Sequence, residues 1–268
     1  MTARTRIFRP LVGAFALTLL VLPLASGSAF AQQSTPAQQS TPEAASPFSA
    51  GEQDAIDRRV RDYILENPEI IMQAIQILRQ RREQQAQDAR RQGVRQHAEA
   101  LRDPGPLPVL GNPDGDVTII EFFDYNCGYC RRVAGMAHEV AEADGNVRLV
   151  YKEFPILGPE SVFAARAAIA AAMQGEYAAF HNALMTDVQT VNEDSVMRLA
   201  DMMDLDVEQL KTDMQSDQVT QTIQRTRQLG QALQIQGTPA FIVGTEVAPG
   251  AISREQLEQM IARARQEG

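Results

Sequence analysis

The chain of 268 residues contains no tryptophan, two cysteines and three histidines, and aromatic residues make up only 6% of it. Two cysteines cannot build the many-bridged framework that staples small exported domains. Nor do they complete a four-ligand zinc site, for which only His97, His138 and His181 could supply the rest. The longest apolar run, Leu11 to Ala25, is interrupted by Pro23 and is shorter than the roughly 20 residues of a membrane span. No repeat with a period of about 20–50 residues recurs. Acidic residues outnumber basic ones, 34 to 25, and no basic groove with interleaved aromatics is present, so nucleic acid is not an expected partner.

What the chain does have is Cys127-Gly128-Tyr129-Cys130, which holds both of its cysteines. The amino terminus reads as a secretory signal over residues 1–31, with Arg4, Arg6 and Arg9, an apolar stretch, and Ala29-Phe30-Ala31 as a small-x-small cleavage site. Its removal takes the formal charge from −9 to −12. A lone pair of thiols two residues apart, entering an oxidising compartment, reads as a redox-active dithiol rather than a structural bridge.

Residues 32–51, rich in Gln, Ser, Thr, Pro and Ala, have too little apolar surface to offset ordering entropy and are expected to form a disordered linker. Residues 52–103 read as a helical stalk. A first helix starts at Glu52, with Ile56, Val60, Tyr63 and Ile64 on one stripe, and is broken at Asn67-Pro68. A second is expected to run unbroken to about Arg102, where Asp103-Pro104-Gly105-Pro106 stops it. Its first half is apolar (Ile70, Ile71, Ala74, Ile75, Ile77, Leu78) and its second half is arginine- and glutamine-rich. The polar half is not expected to dock along a domain, and the apolar half is expected to bury its stripe by self-association.

Residues 104–268 read as α/β. Leu107–Leu110 is a short strand candidate, Val117–Phe123 a buried central strand, and Val147–Phe154 its parallel neighbour across a helix from Gly128 to about Ala143. Residues 159–233 read as an almost wholly helical insertion, after which Ala240–Val243 returns to strand. Ser253, with Gln256 three residues on, caps a final helix.

At a strand end and helix start, Cys127 meets unpaired amides and a positive dipole end, which favour thiolate over thiol. Such placements lower a cysteine pKa from about 8.5 to roughly 3.5–7.5. Cys127 is therefore the expected nucleophile, and Cys130, one turn in, the resolving thiol. Arg131 and Arg132 add positive charge in the first turn, or form a solvated face. Glu121, on the strand beneath the sulfurs, is expected to relay the proton of Cys130, and Asp124 to serve the turn. If the Thr238-Pro239 loop faces Cys127, the Thr238 backbone can pair with a substrate strand, and a cis bond there would be a deliberate structural feature. Together with Gly128 and Tyr129, these two residues form the expected substrate-binding set. Tyr125, Tyr129 and Phe154 are candidates for an apolar groove.

Taken together, EFFDYNCGYC (121–130), KEFPILGPES (152–161) and GTPAFIVG (237–244) resemble the thioredoxin-fold superfamily, in its DsbA-like periplasmic branch. The resemblance implies a thioredoxin fold carrying an inserted helical domain. It gives Cys127 as nucleophile, Cys130 as resolver, Glu121 as buried acid and Thr238–Pro239 as the cis-proline loop. The segment YILENPEIIMQAIQIL (63–78) is similar to the amino-terminal region of the suppressor of copper sensitivity protein C (ScsC) subgroup. That likeness implies a homo-oligomer, a trimer, formed through residues 52–102, together with disulfide shuffling and copper handling. Gly-Tyr replaces the Pro-His of DsbA itself and, with Thr238, looks more like the DsbC-type isomerases. The expected function is thus a periplasmic isomerase or reductase acting on exported proteins and recharged by a membrane redox partner. No cofactor is expected beyond the Cys127–Cys130 disulfide. The alternatives are a Cu(I)-binding protein using Cys127 and Cys130 and a monomeric dithiol oxidase.

Overall fold

The computed structural model describes residues 47–267. The expected signal segment and most of the expected linker lie outside the described residues. The chain divides into two compact units, one up to Tyr63 and one from Ile64 onward.

Helix α1 (Ala50–Glu66) begins two residues earlier than expected, because Ser49 and Glu52 form a reciprocal cap. Ser49 N donates to the Glu52 carboxylate at 2.8 Å, and Glu52 N donates to Ser49 Oγ at 3.4 Å. No residue of α1 is buried.

Helix α2 (Glu69–Gln96) departs from expectation in two ways. It does not continue to Arg102: the backbone leaves the helical region at His97 and restarts as α3 (Ala98–Arg102). Its polar half does dock, through Gly93 and Val94, both buried. Gly93 lacks the Cβ that would stand 3.1 Å from a Leu233 methyl, so the backbones approach closely where no apolar stripe exists. Val94 and Leu101 complete an apolar core with Leu229 and Leu233. The boundary expected at 103/104 therefore falls inside the second unit, and Gly93, Val94 and Leu101 are buried within that unit.

The sheet has the order β1-β3-β2-β4-β5, formed by β1 (Leu110–Gly111), β2 (Val117–Phe123), β3 (Val147–Glu153), β4 (Ala240–Val243) and β5 (Glu246–Pro249). β2 pairs parallel with β3 and antiparallel with β4. All seven residues of β2 are buried, as befits a central strand covered on both faces. Alternate side chains divide between two cores. Ile119 and Phe123 face the larger one, while Ile120 and Phe122 face Val94 and Leu101.

The helix expected over 128–143 is two pieces, α4 (Gly128–Arg132) and α5 (Met136–Asp144), separated at Gly135, whose φ of 78° is left-handed. The strand expected over 107–110 keeps only Leu110 with Gly111, and β5 had no clear strand pattern in the sequence. The insertion comprises α6 (Pro159–Met173), α7 (Tyr177–Thr186), α8 (Glu193–Met202), α9 (Val207–Met214) and α10 (Asp217–Ala232). The final helix, α11 (Arg254–Glu267), carries the expected Ser253–Gln256 cap, with bonds of 2.9 and 3.3 Å. Among the described residues no helix is long and apolar enough to cross a membrane.

Gly230 of α10 lies against the Phe154 ring, where a Cβ would come within 2.6 Å of two ring atoms. Gly230→Ala should cost about 1–3 kcal/mol in urea unfolding through overpacking. Phe154→Leu in the same chain should recover part of that loss, whereas additive costs would exclude a direct clash.

Candidate active site

β2 delivers the chain at Phe123 into a turn held by Asp124. Its carboxylate accepts from Asn126 N at 2.8 Å and from Ile156 N and Leu157 N at 2.8 and 3.0 Å, which is the turn duty expected of it. Cys127 N donates to Asp124 O at 3.0 Å, and Cys127 becomes the N-cap of α4. Its Sγ accepts from Cys130 N at 3.3 Å and lies 3.2 Å from the carbonyl oxygen of Thr238, to which the thiol donates. The Thr238–Pro239 peptide is cis. Three expected features, the dithiol, the helix start and the cis-proline loop, thus meet at one sulfur.

Both cysteines are free thiols and both are buried, Cys130 more deeply. Burial pushes the Cys130 thiol well up, and the neighbouring Cys127 sulfur adds to that. Because α4 is a single short turn, the polarity at Cys127 Sγ comes from a direct amide hydrogen bond and not from the long helix expected.

The two arginines have specific partners. Arg131 reaches the carbonyls of Met185 at 3.1 Å and Gln189 at 2.9 Å, and also that of Val188, so it closes the C-terminal end of α7. Arg132 lies over the Tyr129 ring, 4.9 Å from its centroid. Of the expected groove residues only Tyr129 is open to solvent, at 59%, while Tyr125 and Phe154 belong to the cores. Nothing lies within 4 Å of the Cβ position of Gly128, which leaves open space beside the first turn.

Glu121 sits on the face of β2 that carries Phe123, beside Tyr151 in the register. It is buried, and burial raises its pKa to about 8. A second buried acid had gone unassigned: Glu153, also raised to about 8 by burial, against the opposing pull of hydrogen bonds from Tyr125 and Tyr177. Glu153 Oε1 accepts from these hydroxyls at 2.8 and 3.0 Å, and Tyr125 Oη also meets His181 Nδ1 at 3.0 Å. Burial lowers the His181 pKa to about 3, so this imidazole is neutral. The available signal was Lys152-Glu153, two charges ending a strand whose middle, Leu149–Tyr151, is apolar or aromatic. Lys152 turns to the other face, where the carbonyls of Ala100 and Asp103 hold its ammonium.

A C-x-x-C pair on a βα turn, facing a cis-proline loop and followed by a helical insertion, defines a DsbA-like thioredoxin-fold domain. The chain belongs to the DSBA-like thioredoxin domain family, whose profile matches residues 118–262. Residues 52–85 match the Copper resistance protein ScsC N-terminal domain. A thioredoxin-like oxidoreductase from Silicibacter pomeroyi is 49% identical over 63% of this chain and 97% of its own, with a TM-score of 0.61. ScsC of Proteus mirabilis in a transitional conformation is 26% identical over 83% of this chain and 99% of its own, with a TM-score of 0.59. The Na(+)/H(+) antiporter NhaA 3 of Salinispora tropica is 27% identical over 62% of this chain and 27% of its own length. The chain thus spans about a quarter of the length of that antiporter.

Both buried acids keep their protons to about pH 8 when folded, against an ordinary value of 4.5. Across that window the folded state binds more protons than the unfolded, so their contribution to stability falls as pH rises and levels off above 8. His181 acts oppositely: it stays neutral down to about 3 against an ordinary 6.5, so its contribution falls as pH drops from 6.5 to 3. Glu121→Gln should therefore lose less stability than the parent between pH 5 and pH 9 in urea unfolding. Parallel profiles would show that Glu121 is not a neutral acid in the folded state.

Proposed function

We propose that the chain is a thiol–disulfide oxidoreductase of isomerase or reductase type that acts on exported proteins through Cys127 and Cys130. The observation that carries this is the seat of Cys127 Sγ, between the Cys130 amide and the Thr238 carbonyl. A client disulfide presented along Thr238 meets Cys127 thiolate; the client S–S bond breaks, a Cys127–client disulfide forms, and the departing client sulfur takes up a proton. In the reductase branch Cys130 attacks Cys127 Sγ and passes its proton through Glu121, a neutral acid below about pH 8 that takes up one proton as it releases another to the second client sulfur. That client thiol leaves, and the Cys127–Cys130 disulfide remains for a membrane redox partner to reduce. In the isomerase branch another client thiolate attacks the mixed disulfide at the client sulfur and restores Cys127. The high proton affinity of Cys130 and the low solvent access around it favour a resting dithiol that waits for the mixed disulfide. Export to the periplasm rests on the signal pattern of residues 1–31.

The helices supply the assembly this work needs. Ile56, Val60 and Leu65 on α1, and Ile71, Met72, Ile77 and Leu78 on α2, are exposed apolar side chains. Such stripes favour burial against further copies of the chain. Several catalytic domains around one cavity suit repeated attack on one client.

A second reading, Cu(I) held by the same two sulfurs, has the match of residues 52–85 to a copper resistance profile in its favour. Soft thiolates select Cu(I), and bound metal would block exchange.

Cys130→Ser should trap a mixed disulfide with scrambled ribonuclease, and Cys127→Ser should trap none and also lose any Cu(I) binding. A reduction potential near −180 mV or below fits the shuffling enzyme, whereas one near −120 mV would make the chain an oxidase. Ile71→Glu with Leu78→Glu should convert the sedimenting species to monomer and slow isomerisation of scrambled ribonuclease about tenfold. Isomerisation at the parent rate by a proven monomer would separate activity from assembly.

A further inference from the structure

The docked half of α2 brings a charge to the substrate side of the molecule. Arg90 lies one turn before Gly93 and Val94, the two residues that seat α2 on the sheet unit, and so shares their face of the helix. From there it lines a cavity of about 190 Å³ with Thr238, over an apolar floor that includes Leu233, Ile235, Ala240 and Val247. Thr238 belongs to two places at once: it borders this cavity, and its carbonyl oxygen lies 3.2 Å from Cys127 Sγ. A strand that pairs with Thr238 while its sulfur meets Cys127 therefore passes the mouth of the cavity with its next side chains.

Arg90 is half-buried, yet among the described residues its side chain forms no hydrogen bond or ion pair. A guanidinium with no partner at the edge of a cavity has all its donors available to an incoming carboxylate. The acids nearest along α2 and β5 do not fill this role. Arg90 also lines the adjoining cleft together with Glu83 and Glu246, but neither carboxylate lies within ion-pair distance of it, and Glu246 is held by Arg263 through two bonds of 3.0 Å. Arg90 falls between the two family matches, residues 52–85 and 118–262.

We infer that Arg90 of α2 completes a client subsite beside the cis-proline loop, which takes an acidic side chain close in sequence to the client's reacting cysteine. The inference rests on the oxidoreductase reading and adds a substrate class to it: cysteines flanked by Asp or Glu. In a chain of formal charge −9, a local cation at the point of entry offsets a general repulsion of acidic clients.

The test uses the full chain and a set of fluorogenic peptides, each with one cysteine in a mixed disulfide and Glu, Gln or Lys at each position flanking it in turn. The readout is the ratio of kcat/KM between peptides within each variant, which a partial loss of folded protein leaves unchanged. At one flanking position the parent should favour Glu over Gln by about three- to fivefold at low salt, the range of a partly exposed ion pair, and less at high salt. Arg90→Gln should bring that ratio to about one, and Arg90→Glu should favour Lys instead. The same peptide order in parent and both variants overturns the subsite alone. No exchange with any peptide, by the parent itself, overturns the oxidoreductase reading and the subsite with it.

Discussion

One sulfur has to be met from two sides at once. Cys127 Sγ takes a hydrogen from the backbone of α4 and faces a carbonyl from a loop 111 residues further along the chain. The sheet register makes that meeting possible. β4 pairs with β2 so that Ala240 stands opposite Phe122, which sets Pro239 and Thr238 beside the end of β2, where the dithiol turn begins. Asp124 then ties that turn to the Ile156–Leu157 loop, and Gly250 N holds Pro239 O at 2.8 Å. Most of these bonds join segments far apart in the sequence, and their common effect is to fix the path of an incoming strand relative to the thiol.

Beneath the motif the protein keeps unusual polarity for a core. Glu121 and Glu153 are buried on the same face of adjacent strands, with no lysine or arginine partner among the described residues, and burial keeps them neutral acids up to about pH 8. Glu153 is answered by two tyrosine hydroxyls, and through Tyr125 it reaches His181 on α7. Arg131 closes the end of the same helix from the other side of the motif. The helical insertion therefore grips the dithiol segment before Cys127, at Tyr125, and after it, at Arg131. A buried polar network of this kind holds one geometry because every alternative leaves groups unpaired.

Much of the site was legible because its parts are short and local. Cys127 and Cys130 have two residues between them, Val117–Phe123 is β-branched or aromatic at every position but Glu121, Thr238-Pro239 opens a strand, and Ser253-x-x-Gln256 is a cap; each is a pattern within a few residues. The errors arose where distant contacts overrode local pattern. Helix α2 looked too polar to dock, but Gly93 permits backbone contact with Leu233, which no amphipathic stripe announces. Gly135 inside an apparent helix was passed over, although it is the residue that breaks it. Arg131 read as a source of field or as solvated surface, and is instead spent on three carbonyls at and just beyond the end of α7.

By itself, the order of residues determined the α/β pattern, the identity of the thiol pair and the long helical stretch, through period, turn chemistry and spacing along one chain, while the thioredoxin fold and the cis-proline loop followed from the resemblance of its motifs to a known family. Tertiary structure alone decided which side chains share a space: Glu153 with Tyr125, Tyr177 and His181, Lys152 with α3, and Arg90 with Thr238. Those pairings depend on strand register and on how closely helices pack against the sheet. Both are set by the summed fit of many residues, and no short stretch of sequence contains them.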